Sequence, residues 1–554
     1  MESVGSNIFK LLEMVGDGQM VIPIYQRRYS WEENQCAQLW DDMVSSWKKG
    51  GSHFCGSVIN IDDTPEGAPV KQYTIIDGQQ RVTTLMLMLT ALRDRLREAA
   101  GPDSGCAEDL ARLLRHGDGG LKLLMTETDQ AVMGKLLKGY WKSAGNEESL
   151  VTGNYRFFRN RLKKEDMAPA DLVEAIGKLT FVLITLERGE DDPQAVFDRL
   201  NSAGKTLTDT DRIRNYLLME LDPEKQRAIY ADFWRPMETW FPYEERETYM
   251  KAFLRDYLTM WKPGRKTAPW DRVYEEFRDF YRQRRGRSGI YEFVKELCEY
   301  AGYYTEIRFA RTEDRELRQL YEDVKGLEMA VAYPFLIRVR KDLAGKRITD
   351  SEWKEILRIC ASYVLRRRVC GLASNSHDST FAGLYEQIRG EDHVASIKEY
   401  FRNLPENKRF PDDVEFGRML VTAELYPKIA DKHFLKRLEN DGKKGALSME
   451  EYSVEHIMPQ NPNLNESWKK ELGPDWKKVQ EKYLHTLGNL TLTAYNPELS
   501  DSSFQEKLDM AGGFKESGLR LNAEVVRYTE WNEERILHRG RSLAEWVKRI
   551  WPGV

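Results

Sequence analysis

The spacing of apolar positions divides the 554-residue chain into three stretches. In the first, short alternating runs mix with helical stripes. Ser30-Trp31-Glu32-Glu33 has the form of a capping box, a hydroxyl followed three residues later by a carboxylate. It predicts a helix reaching about Lys48, with Cys36, Trp40, Met43 and Trp47 on one stripe. Cys55–Ile61 and Val70–Asp77 read as strands joined by a polar turn with Pro65 and Gly67. Thr83 or Thr84 can cap the next helix, whose inner face is Leu85, Met88, Leu89, Leu92 and Leu96. Gly101–Gly120 reads as a Gly-rich loop and Phe181–Glu187 as a short buried strand. Two helices around a turn at Asn201–Lys205 follow.

From about 216 to 420 the pattern is almost wholly helical, broken most clearly at 262–269 and 403–413. From about 447 a smaller α+β pattern begins. At roughly 150–200 residues per domain, the expected organisation is 1–215, 216–424 and 425–554. The fold class is α+β, largely helical, with an all-helical middle. No internal repeat or low-complexity tract is present.

Composition narrows the function classes. The apolar run Leu85–Leu89 is far shorter than the about 20 residues a bilayer requires, so no membrane span is expected. MESVGSNIFKLLEMV lacks a basic segment followed by an apolar core, so no signal peptide is expected. The six cysteines form no CxxC pair, which argues against a zinc ribbon and fits reduced thiols in a cytoplasm. A net charge of −5 does not announce a nucleic-acid partner; local basic patches would have to supply the contact.

The first chemical signal is TIIDGQQRVTTLMLMLTAL, a strand that turns through glycine into an apolar helix. Free N–H groups at such a helix start attract phosphate. Arg81 adds a donor fork, Asp77 can hold Mg²⁺, and Gln79 and Gln80 can orient a water for attack on a phosphoryl group. The same pentapeptide, Gly78 included, also suits an ordinary Asp-Gly turn with solvated amides. Two other segments bear on the choice. In IPIYQRRYSW, Gln26, Arg27 and Arg28 lie between Tyr25 and Tyr29, rings that can stack on a base; a basic surface strand held by aromatics is the alternative. NSAGKTLTDTD contains GKT, but Arg199 stands where a Walker A motif needs glycine, so that motif is rejected. Asn201 and Gly204 instead suit a tight loop beside the pocket, followed by Asp211 and Asn215.

Taken in order, YQRRYSW, HFCGSVI, IIDGQQRVTTL and FDRLNSAGKTLTDTDRIRNY resemble the N-terminal domain of the GmrSD group of restriction endonucleases. That domain is similar to ParB and sulfiredoxin folds. The resemblance spans about residues 8–215 and implies that the DGQQR segment binds and hydrolyses a nucleoside triphosphate, often GTP. YVLRRRVCG in the middle stretch resembles the group more weakly; Arg366–Arg368 either face DNA or form a solvated helix face. Arg282, Arg284, Arg285 and Arg287 form the densest basic cluster, suited to a DNA backbone or to a solvated loop.

The second signal is YSVEHIMPQNPN with LHTLGNLTLTAYNPELSDSSFQEKL. A hairpin can pair Val454–Ile457 with Leu490–Thr493, and Ser502 or Ser503 can cap a helix bearing Phe504 and Lys507. This chemistry suits phosphodiester hydrolysis. His456 is the expected general base. Glu455 and Asn496 are oxygen ligands suited to Mg²⁺ or Mn²⁺. Asn489 would hydrogen-bond the hairpin or orient the His456 ring. Lys507 is placed against DNA. His485 is a spare candidate for the site; since it precedes the turn at Gly488, its role is read as mainly structural. A core histidine beside a surface glutamate would explain Glu-His alone, but not the ordered set.

The set resembles an HNH, or ββα-metal, nuclease of the GmrD type over about 425–554. It departs from the general pattern in having Glu455 for Asp and Asn496 for His, which leaves each ligand's identity open. Together the resemblances imply a type IV restriction enzyme: double-stranded DNA carrying modified bases or backbone as substrate, a nucleotide as regulator, and a homodimer as a plausible assembly. A nucleotide-dependent DNA-binding regulator with a weak or silent HNH domain is the alternative from another class. An RNA-directed nuclease is the third.

Overall fold

The computed structural model describes the chain except residues 1, 66, 101–104, 117–118, 141–148, 165–166, 188–189, 192, 201–206, 263–266, 285–288, 430, 444–450 and 496–498. The chain forms two compact units, Met1–Pro236 and Met237–Val554. The division falls at 236/237, and the helical stretch and the C-terminal region share the second unit. The class is α+β and largely helical.

The first unit is built on a six-stranded sheet, β1 (Glu2–Asn7), β2 (Gln19–Val21), β3 (His53–Asp62), β4 (Gln72–Asp77), β5 (Leu123–Leu124) and β6 (Leu179–Leu186), in the order β1-β6-β3-β4-β2-β5. β3 runs antiparallel to β4 and parallel to β6. The sheet is therefore mixed, and the strand that meets β3 on its far side comes from more than 100 residues later in the chain.

Helix Gln79–Ala100 starts directly after β4, so neither Thr83 nor Thr84 caps it. Both lie in its first turns, and Thr84 Oγ1 donates to Gln80 O at 2.8 Å. Its expected inner face is buried, but so are Val82, Met86, Leu87 and Ala91. A helix apolar on nearly all sides is a core helix rather than a surface one. Helix Glu33–Lys48 takes Glu32, not Ser30, as its N-cap, with Gln35 closing the capping box. Gly101–Gly120 is not simply loop: Gly105–Leu113 is a helix that buries Ala107 and Leu110.

The second unit is helical from Arg246 onward, with aromatic residues in mutual edge contact, as between Tyr257, Phe280, Phe293 and Tyr300. Helix Asp350–Val369 carries the arginine run; Arg368 is partly exposed, but neither expectation describes Arg366 and Arg367. Arg366 and Arg367 are 0% exposed. Arg366 donates to the carbonyls of Pro411 and Trp551 and pairs with Asp413 at 2.6 Å. Arg367 donates to the carbonyls of Arg409, Ala373 and Asn407. Five-donor guanidinium groups here bind the loops around them into the unit. Of the second arginine cluster, Arg285 and Arg287 lie outside the described residues. Arg284 is committed to Glu296 and to the Trp261 ring, 4.2 Å from its centroid.

Near the C-terminus, β7 (Ser453–His456) pairs antiparallel with β8 (Leu490–Thr493), placing His456 opposite Leu490 and Glu455 opposite Thr491. Helix Phe504–Asp509 follows, with Ser503 as N-cap in a capping box with Glu506. Helix Glu533–Ile550 closes over the turn. A Cβ on Gly488 would lie 2.1 Å from the Ile536 carbonyl oxygen, so glycine is required there by close approach. The buried Arg539 secures the same turn by donating to Gly488 O at 2.7 Å and Leu490 O at 2.8 Å. Among the described residues no helix is long and apolar enough to cross a membrane.

Candidate functional site

In the first unit the DGQQR turn forms where β4 meets its helix. Gly78 has φ +91°, and a Cβ there would stand 3.0 Å from Ser57 O and 3.1 Å from Val58 Cα. Only glycine suits both the backbone and the neighbouring strand. The Asp77 carboxyl accepts the Gly78 N–H, with Arg81 and Arg27 nearby. Burial raises its pKa; those two cations and the N–H oppose the rise. Arg81 lies 3.9 Å from Asp77, donates to Ser57 O and lies across Gly56, where a Cβ would come within 3.2 Å of its guanidinium carbon. Arg27 is half-buried, and Asp211 and Asp77 oppose the lowering of its pKa by burial. Arg28 is exposed. Asp211 pairs with Arg214 at 2.7 Å, and Arg214 donates to Tyr25 O.

Several expected nucleotide contacts are instead structural. Gln80 is buried: its oxygen accepts from Ser30 N at 2.8 Å and its amide donates to Arg28 O at 3.2 Å. Its amide therefore fixes the Arg-Arg segment. Gln26 spans to β4, donating to Ile75 O and Ile76 O at 2.8 Å each, while its buried oxygen has no partner among the described residues. Tyr25 and Tyr29 are buried, Tyr29 bonding Thr84 and Asn154, so neither ring offers an open face to a base. Gln79 is buried at the helix start. Asn201 and Gly204 lie outside the described residues.

In the second unit the hairpin brings Glu455, His456 and Lys507 together. Lys507 was expected against DNA, but its side chain is 0% exposed. Its ammonium donates to Glu455 Oε1 at 2.5 Å and to His456 O at 3.0 Å. Burial pushes the Glu455 carboxyl up and the Lys507 ammonium down; each opposes the other's shift. The helix capped by Ser503 thus delivers its lysine inward, beneath the hairpin.

His456 is 3% exposed, and burial, with help from His485 and Lys507, lowers its pKa to about 3. The ring is a neutral imidazole at physiological pH. Its Nε2 lies 3.1 Å from Nδ1 of His485, while its own Nδ1 is buried without a hydrogen-bond partner. Tyr426 packs edge-on to His456 and stacks on His485, with ring centroids 4.8 and 5.7 Å away. Sequence reasoning kept His485 as a spare candidate with a mainly structural role and did not single out Tyr426. The only signal for His485 was its position beside the turn that returns the chain to His456.

Asn489 is fully buried and fully bonded. Its oxygen accepts from Met458 N at 2.8 Å and Trp531 Nε1 at 3.1 Å, and its amide donates to Met458 O and Leu484 O. It ties the hairpin together and makes no bond to the His456 ring. Asn496 lies outside the described residues.

As a metal site, the Glu455 carboxylate is a donor that suits Mg²⁺ or Mn²⁺ in kind, although it is paired with Lys507. Among the described residues, however, no group of three or more His, Cys, Asp or Glu could hold a metal ion.

A strand pair, an inward helix and a buried histidine beside a carboxylate make up the candidate site in the second unit. Two family models match the chain: GmrSD restriction endonuclease, N-terminal domain, over residues 8–218, and GmrSD restriction endonucleases, C-terminal domain, over 410–546. The chain belongs to the GmrSD restriction endonucleases. No curated protein matches it.

Proposed function

We infer that this protein is a nucleotide-regulated, metal-dependent endonuclease that cuts foreign DNA carrying modified bases or backbone. One observation supports the nuclease assignment most directly. In a hairpin where Asn489, Lys507 and the Gly488 turn are satisfied by neighbours, His456 Nδ1 is buried and unpartnered. A buried polar atom without a hydrogen bond costs about 1–3 kcal/mol, and a catalytic role is one of the reasons native proteins retain such atoms.

His456, neutral at physiological pH, takes a proton from water as that water attacks the phosphodiester phosphorus. Tyr426 and His485 hold the ring. Asn489 and Arg539 fix the hairpin that carries it. Glu455 and Asn496 would hold Mg²⁺ or Mn²⁺, which when bound supplies positive charge at the departing 3′-oxygen. In the first unit, Arg27, Arg28 and Arg81 near the start of helix Gln79–Ala100 suit the phosphates of a nucleoside triphosphate, GTP by family resemblance.

The test is cleavage of two matched DNAs, unmodified and glucosyl-hydroxymethylated at cytosine, with Mg²⁺ or Mn²⁺, with and without GTP, beside His456→Ala. Cutting of the modified DNA alone, lost in the variant while GTP hydrolysis persists, supports the full reading. A variant that nicks at the wild-type rate removes His456 from the base role.

A second reading has one specific observation behind it. Lys507 neutralises Glu455, as it would in a DNA-binding regulator whose nuclease site is silent. Tight DNA binding without cutting under every condition above would favour it.

A further inference from the structure

We propose that the first unit holds a second anion site, apart from the DGQQR turn: an arginine-lined cavity that binds a compact anion carrying two or more phosphoryl groups.

The cavity measures about 510 Å³. Its lining includes Arg93 and Arg97 of helix Gln79–Ala100, Glu108 and Arg112 of helix Gly105–Leu113, and Arg115 and Leu137. Small-molecule sites span about 300–1,000 Å³. Along a helix that rises about 1.5 Å per residue, Arg93 and Arg97 lie roughly 20–27 Å from Gln79. The cavity and the DGQQR turn are therefore separate places that share one helix.

The arginines differ in what already holds them. Arg93 is 1% exposed and directs its donors to Asp94, at 2.8 and 2.6 Å, and to the carbonyls of Leu136 and Leu137. It builds the wall. Arg97 gives one N–H to Glu108 at 2.8 Å. Arg115 has no carboxylate partner among the described residues and donates to the carbonyls of Gly119 and Leu137, at 3.2 and 3.3 Å. Arg112 is exposed and stands 3.7 Å from Asp109, beyond hydrogen-bond reach. A guanidinium carries five N–H donors, so Arg97, Arg112 and Arg115 each keep donors that no described residue takes.

Helix ends account for part of this grouping. Arg112 lies in the last turn of its helix, and Arg115 meets the last carbonyl of helix Glu127–Leu137, both favourable places for a cation. Neither end accounts for Arg97, which comes from another helix and lines the same space. Three like charges there repel one another, and an anion between them turns that repulsion into attraction.

Guanidinium forks match phosphate oxygens two at a time. At about 30 Å³ per water, the space exceeds a single tetrahedral phosphate several-fold. Asp17 and Glu108 also line it and repel an anion, which confines the ligand to the side of Arg97, Arg112 and Arg115. Among the described residues no Phe, Tyr or Trp lines the cavity, so the phosphoryl groups, not a stacked base, are what it reads.

The experiment titrates inorganic pyrophosphate into the full chain by calorimetry and locates it by hydrogen–deuterium exchange. Wild type is compared with Arg112→Gln, Arg115→Gln and, at the DGQQR turn, Arg28→Ala, with thermal melts on every sample. Pyrophosphate should protect helix Gly105–Leu113 and residues 136–138 in wild type and in Arg28→Ala. Affinity at that place should fall about tenfold in each cavity variant, the worth of a charge-assisted bond. Arg112 is exposed, so Arg112→Gln keeps the test decisive if Arg115→Gln fails to fold. No binding, protection confined to the DGQQR turn, or wild-type affinity in the folded cavity variants overturns the proposal. Protection of the same helix by short duplex DNA but not by pyrophosphate would make these arginines a DNA-backbone contact, and also overturns it.

Discussion

The ammonium of Lys507 and the carboxylate of Glu455 meet at 2.5 Å with both side chains withdrawn from solvent. Such a pair is costly to break from one side, because the remaining charge stays buried. Lys507→Met should cost about 3–5 kcal/mol at pH 7. The loss should be smaller at pH 5, where the abandoned carboxyl takes a proton more readily. Pairing it with Glu455→Gln should recover much of the loss. Denaturant unfolding of wild type and of these two variants at both pH values is the measurement; an unchanged midpoint for Lys507→Met would mean the pair does not hold the hairpin.

Gly488→Ala tests close approach rather than charge. The added methyl would meet the Ile536 carbonyl, which belongs to the backbone of helix Glu533–Ile550 and has little freedom to move. The expected loss is about 1–3 kcal/mol or more. Differential scanning calorimetry should show the second unit melting earlier, and a wild-type melting profile would contradict the packing described.

His377 supplies a pH signature. Burial and the nearby Arg367 and Arg368 lower its pKa to about 4. An exposed histidine in the unfolded chain titrates near 6.5. Between about 4 and 6.5 the unfolded state therefore binds more protons, so stability rises with pH across that window and falls as pH drops through it. Its contribution to the slope approaches about 1.4 kcal/mol per pH unit. His377→Gln should flatten that slope, as read from unfolding free energies between pH 4 and 7. An identical slope would show that other groups carry it.

Around the DGQQR turn, two substitutions separate ligand binding from architecture. Arg28 is exposed, so Arg28→Ala should leave thermal stability within about 0.5 kcal/mol and weaken GTP binding about tenfold, the worth of a charge-assisted bond. Gln80→Ala removes the bridge to Ser30 N and Arg28 O and should lower stability by about 1–3 kcal/mol. Titration of a fluorescent GTP analogue alongside thermal melts distinguishes the two. Reversed effects would move the nucleotide away from the arginine pair.

The hairpin was legible in the sequence because Leu490–Thr493 alternates apolar and Thr residues, the pattern of a strand with one face turned inward. The turn into helix Gln79–Ala100 was legible from Asp-Gly after an apolar strand. What the sequence hid was the burial of charge. Lys507, Arg366 and Arg367 read as surface residues because such side chains are almost never fully buried unless paired, and their acceptors are mostly backbone carbonyls from distant segments, which no local pattern reveals. Tyr25 and Tyr29 misled in the opposite direction: aromatic rings flanking arginines suggested a stacking platform, yet both rings serve the core. His485 could be named only as a spare candidate, because its contact with His456 reaches 29 residues back along the chain.

The strand order carries a consequence for synthesis. β3, whose Ser57 and Val58 crowd Gly78, is completed on its far side by β6, and β6 also pairs with the opening strand from Glu2↔Thr185 to Asn7↔Thr180. A nascent chain that has released the DGQQR turn still lacks the strand that finishes its cradle. The turn lacks this neighbour until residues 179–186 leave the ribosome, so its cradle is completed late in the synthesis of the first unit.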